Sequence, residues 1–96
     1  MNVNQAYGEL MDVVADESVS LTKEEYNGNP LWCIRWIQND GWSKNRICLA
    51  GSVNNPPHAT PGSAFNEWYT MKCHNKITCT NGLPSILEDW IKRIQE

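Results

Sequence analysis

The stretch Leu31 to Ile37, LWCIRWI, constrains this chain more than any other. Six of its seven residues are apolar and two are tryptophan. As a strand it places Trp32, Ile34 and Trp36 on one face, with Leu31, Cys33, Arg35 and Ile37 on the other. Apolar residues on both faces predict a central strand covered on each side. A helix is the competing reading: Asn29 would cap it, Pro30 would take its first position and Gly41 would end it. The strand is preferred, because β-branched and aromatic residues dominate the run and Asn39-Asp40-Gly41 behind it is a hairpin signal.

The flanks supply helices. Val3, Tyr7, Leu10, Met11 and Val14 recur at helical spacing and predict an amphipathic helix over 3–16, capped by Asn2 with Gln5 or by Asn4. At the other end Leu87, Trp90, Ile91 and Ile94 form an i, i+3, i+4, i+7 stripe, edged by Ile86. Ser85 and Glu88 have capping-box spacing, and Lys92 and Arg93 complement the dipole of the last turns. Between these helices, residues 18–26 read as a first strand, although Thr22 and Glu25 also have capping-box spacing. Asn27-Gly28-Asn29-Pro30 predicts a turn, and Arg46 to Ala50 a buried strand.

Residues 51–64 hold three prolines, two glycines and no charge, and read as a long loop. Residues 65–81 read as a hairpin. Tyr69, Met71 and Cys73 alternate with polar residues, as do Ile77 and Cys79, about a His74-Asn75-Lys76 loop. The 96 residues are expected to form one domain, 1–96, of α+β class. Its expected core is an antiparallel sheet of four to five strands with the N- and C-terminal helices packed on one face.

Charge excludes some partners. Residues 1–30 carry six acids against Lys23, whereas residues 31–80 carry Arg35, Lys44, Arg46, Lys72 and Lys76 against Asp40 and Glu67. An acidic front and five scattered cations do not make a phosphate-tracking groove, so no nucleic acid is expected. No apolar run approaches the roughly 20 residues of a membrane helix. MNVNQAYGEL has neither the basic start nor the apolar core of a secretion signal, which makes the cytoplasm the expected compartment.

Catalytic and metal chemistry find little support. Structural zinc draws two ligands from one knuckle, and Cys33, Cys48, Cys73 and Cys79 contain no pair at that spacing. Cys73, His74 and Cys79 with a distant fourth ligand are the geometry left open. A Cys73–Cys79 disulfide across the hairpin needs a register change and an oxidising compartment. The simpler expectation is four reduced, structural thiols, with Cys33 and Cys48 inside apolar strands. His58 in the proline-rich loop and His74 at a hairpin tip are the two histidines; either could approach Cys73 or Cys79 as a base, but a histidine at a hairpin tip is more often a solvated turn residue. No catalytic residue, metal or cofactor is therefore assigned.

Five tryptophans remain to be placed. Trp32, Trp36 and Trp90 belong to expected core faces. Trp42 follows a turn, and Trp68 has the parity opposite to Tyr69 and Met71, so both are expected near the surface. Exposed tryptophans beside a long loop predict a binding face. The expected function is thus a non-catalytic binding module for a protein partner, or for a second copy in a homodimer. Trp42 and Trp68 would carry the contact, with His58 and His74 nearby. The alternative is a small-ligand binder or small enzyme, with a pocket between sheet and helices rimmed by the 51–64 loop. Short, charge-segregated and without a motif, the chain resembles in general style the small orphan proteins of mobile genetic elements.

Overall fold

The computed structural model describes residues 1–26, 28–37, 44–49, 60–77 and 82–95. Its sheet has three antiparallel strands, β1 (Val19–Tyr26), β2 (Asn29–Ile37) and β3 (Lys44–Cys48), in that spatial order. LWCIRWI is therefore a strand, and the central one. β1 pairs along its whole length, from Val19 opposite Trp36 to Tyr26 opposite Asn29. That pairing settles the ambiguous 18–26 segment in favour of a strand. Gly28 sits at φ +81°, a left-handed conformation that glycine adopts without a Cβ penalty. Asn29 and Pro30, expected in the turn, already belong to β2.

Three helices cover one face of this sheet. The core joins Val19, Ile34, Trp36 and Ile47 from the strands and Leu49 just beyond β3, with Leu21 and Trp32 packed beside them. By register these residues all lie on the same side. Against them pack α1 (Val3–Val14), α2 (Pro61–Thr70) and α3 (Ser85–Gln95). The other face of β2 is not apolar and covered as expected. Arg35 joins charged partners there, and Ile37 is 57% exposed.

α1 begins where its cap predicts, with Gln5 N donating to Asn2 Oδ1 at 2.8 Å. Its buried line is Ala6, Leu10 and Val13, while Val3, Tyr7 and Val14 pack at the edges. Met11, expected on the core face, is exposed. The helix is thus rotated so that Ala6, Leu10 and Val13 face the core. α3 buries the expected stripe: Leu87, Trp90, Ile91 and Ile94, each removal from water contributing about 1.5–3 kcal/mol. Trp90 Nε1 donates to Ala6 O at 3.1 Å, and Arg93 Nε to Glu9 Oε2 at 3.1 Å, tying the two terminal helices together. The first helical bond of α3 runs from Glu88 N to Pro84 O at 2.9 Å, so Ser85 lies one position inside the helix rather than at its cap.

The expected hairpin at 65–81 is where the sequence reading fails. Residues 61–70 form α2, followed by a 3₁₀ turn at Cys73–Lys76. Thr60 caps α2 by accepting from Ser63 N at 3.2 Å, and Pro61 takes the first turn. Ala64, Phe65 and Trp68 then face the core at helical spacing. Trp68, expected to point away from the core, is 2% exposed. The sheet accordingly has three strands among the described residues instead of four to five. Among those residues, no helix is long and apolar enough to cross a membrane.

Candidate functional site

α2 stops at an uncommon backbone. Met71 N donates to Glu67 O and Lys72 N to Tyr69 O, and Lys72 itself adopts φ +57°. A side chain in that left-handed region costs about 1 kcal/mol, which glycine would avoid. The reversal turns the chain into the 3₁₀ turn and brings His74 back beneath the end of α2. There its ring stacks on Tyr69, with centroids 4.6 Å apart and planes 12° apart, and lies 5.5 Å from the ring of Trp68. Gln95 Nε2 donates to His74 O at 2.8 Å, joining the end of α3 to the turn.

These elements border an open, shallow pocket of about 490 Å³. Met1 and Val3 supply one wall, Tyr69 and Thr70 a second, and Ile94 and Gln95 a third, with Lys72, His74 and Asn75 between them. Tyr69 donates its hydroxyl to Met1 O at 2.5 Å, holding the first wall to the second. The volume lies in the range of small-ligand sites. Among the described residues its lining contains one lysine and no carboxylate.

His74 is a buried residue, not the solvated hairpin tip expected. It is 6% exposed, and its Nδ1 has no hydrogen-bond partner among the described residues. Burial, and then the charge of Lys72, lower its pKa from the ordinary 6.5. The imidazole is therefore neutral at pH 7. Of the other expected site residues, Trp68 backs this region from the core, while Trp42 and His58 lie outside the described residues. The pocket lies at the ends of the helices, and residues 51–59 of the rim expected for a pocket between sheet and helices fall outside the described residues. Cys73 precedes His74 in the turn, and Cys79 falls outside the described residues. Among the described residues no three His, Cys, Asp or Glu side chains are grouped to hold a metal ion.

The outer face of the sheet carries a second cluster, missed in the sequence. Arg35 grips Glu24 with both ends of its fork: Nε donates to Oε2 at 2.6 Å and Nη2 to Oε1. Arg46 Nη1 adds a bond to Glu24 Oε1 at 3.1 Å, and Thr22 Oγ1 donates to Oε2 at 3.2 Å. Arg35, through these bonds, holds the Glu24 carboxyl down at about 2. Glu24 lies opposite Leu31 and Arg35 opposite Ser20, so the two reach each other past Cys33. Cys33 is fully buried beneath them and lies directly opposite Cys48 on β3. Its thiol points at Cys48 Sγ, 3.8 Å away.

Only the strand register could have revealed this cluster. A hairpin centred between Asp40 and Gly41 pairs Cys33 with Cys48, and the observed register has that centre. The pocket had no comparable signal, because its residues come from three separate parts of the chain. Comparison with protein-family models, with curated proteins and with solved structures finds no match for this chain.

Proposed function

We propose that this chain is a non-catalytic binding module whose pocket at the helix ends receives a carboxylate. One observation carries the reading: among the described residues, a concave site of about 490 Å³ is lined by one lysine and no acid, on a chain of net charge −3. In an acidic protein, a cation lining a cavity with no acid among its described residues favours an anion there. Asn75 adds amide donors, and the Tyr69–His74 stack gives a flat aromatic flank. Because His74 is neutral, Lys72 supplies the side-chain positive charge at the site. The strained backbone at Lys72 supports the same reading, since residues held in sparsely populated conformations cluster at functional sites.

The carboxylate belongs either to a small molecule or to the chain end of a protein partner. Amide chemical shifts distinguish the two when the chain is titrated with benzoate, with succinate and with a short peptide carrying a free C-terminus. Benzamide and the amidated peptide serve as uncharged controls. Carboxylates should displace Tyr69, Lys72 and Asn75, with the controls inert. Lys72→Gln should weaken binding about tenfold, the loss of one charge-assisted bond worth about 1.5 kcal/mol. Benzamide binding as well as benzoate, or no response at millimolar carboxylate, rejects the site.

Self-association is the second reading, and Ile37 favours it. This side chain ends the central strand 57% exposed, five residues before Trp42. A contact there would remove an apolar surface from water without involving Trp68. Mass measured across a dilution series, for wild type and Ile37→Ser, tests it. A wild-type chain that is monomeric at high concentration removes the homodimer.

A further inference from the structure

We propose that Cys33 and Cys48 are a redox pair, converted reversibly to a disulfide between β2 and β3 by exchange with a low-molecular-weight disulfide. The geometry is already in place. Leu49 N donates to Trp32 O at 2.9 Å, so residues 32 and 49 form a hydrogen-bonded pair of the ladder. Cys33 and Cys48, one step along, then form the non-hydrogen-bonded pair, whose Cα atoms approach to about 4.5 Å. That spacing falls within the span of a disulfide. The two sulfurs are 3.8 Å apart, and side-chain rotation closes the remaining distance.

The two thiols are not equivalent. Cys33 is fully buried under the Glu24–Arg35 pair, whereas Cys48 is partly exposed on an edge strand. Cys33 donates its S–H toward Cys48, and Arg46 and Arg35 stand near the acceptor sulfur. The Cys33 hydrogen bond, followed by these guanidinium groups, lowers the Cys48 pKa to about 6, and the same pairing raises that of Cys33. Cys48 is thus the thiolate that attacks and Cys33 the protected thiol that resolves.

The exchange runs in two displacements. Cys48 S⁻ attacks one sulfur of oxidised glutathione, forming a Cys48–glutathione mixed disulfide and expelling glutathione thiolate, which takes up a proton. Cys33 then loses its proton to solvent, and its sulfur attacks Cys48 Sγ. The Cys33–Cys48 bond forms and the second glutathione leaves as thiolate. The pair loses two electrons, and one glutathione disulfide becomes two thiols.

The test equilibrates the full chain in reduced and oxidised glutathione mixtures at pH 7, traps free thiols by alkylation and maps peptides by mass. Wild type should gain one disulfide, joining the peptides of Cys33 and Cys48, and lose it again in excess reduced glutathione. Cys33→Ser should stop at a glutathione adduct on Cys48. Cys48→Ser should acquire an adduct on Cys33 at least about tenfold more slowly while folded. Because the wild-type titration needs no variant, a substitution that impairs folding does not blunt the test. No disulfide in fully oxidised glutathione, a bond involving Cys73 or Cys79 instead, or equal adduct rates in the two variants overturns the proposal.

Discussion

Trp90 is the side chain on which the joining of α1 and α3 can be tested most directly. It is fully buried, and its ring lies 6.0 Å from Phe65 and 6.3 Å from Trp68, nearly parallel to the latter. Its indole N–H donates to Ala6 O at 3.1 Å. Trp90→Ala removes the largest element of the shared core and leaves a cavity, which costs about 3–5 kcal/mol. A small domain has only about 5–10 kcal/mol of stability in all, so this variant should be unfolded or nearly so. Trp90→Phe separates the contributions. It keeps most of the aromatic packing and loses the indole N–H, which is worth about 1 kcal/mol, plus the volume difference. The expected loss is about 1–2 kcal/mol. Urea unfolding followed by far-ultraviolet circular dichroism reads both variants without relying on tryptophan emission. With a slope near 1 kcal/mol per molar urea, Trp90→Phe should lower the midpoint by about 1–2 M. A Trp90→Ala midpoint within about 0.5 M of wild type would refute the shared core of α1 and α3.

Two further predictions concern pH. The Glu24 carboxyl, near 2 when folded and 4.5 when free, contributes stability that is complete above pH 4.5 and is lost as the pH falls toward 2. Its side chain is 18% exposed and that of Arg35 26%, so solvent screening reduces the effect to about 1–2 kcal/mol. Glu24→Gln should therefore destabilise the chain at pH 7 and approach wild type near pH 2, measured by urea midpoints; an unchanged midpoint at pH 7 rejects the ion pair as a stabilising element. His74, whose folded pKa lies below 6.5, acts in a higher window: unfolding releases a buried neutral ring that then takes up a proton, so stability falls as the pH drops below 6.5. His74→Phe keeps a ring against Tyr69 and should flatten the loss between pH 7 and 5, and an unaltered slope would assign it to another group.

Elements whose periodicity is long and unbroken were legible in the sequence. The stripe Leu87, Trp90, Ile91 and Ile94 has one helical reading, and the structure buries all four. LWCIRWI reads as a central strand because β-branched and aromatic residues dominate it and its ends carry turn residues, and β2 is the middle strand. The segment from 60 to 77 was misread because two periods compete there. Tyr69, Met71 and Cys73 alternate as in a strand, while Phe65, Trp68 and Tyr69 recur as on a helix. The deciding cap, Thr60 with Pro61, stood inside what read as a loop. Hydrogen bonds from that cap, together with burial of Trp68 against Phe65 and Trp90, outweigh the alternation.

The sequence by itself determined which stretches seek the core, since burying apolar surface depends on pattern alone. It also determined that α1 starts at Asn2, because capping is a local interaction. Tertiary structure decided everything that needs two distant segments to meet. Cys33 faces Cys48 only through the register of β2 on β3, and Glu24 holds Arg35 and Arg46 only because three strands lie side by side. The pocket requires the start of α1, the end of α2 and the end of α3 to converge on His74. Such contacts leave no periodic trace, because each partner's position is set by the packing of the elements that carry it.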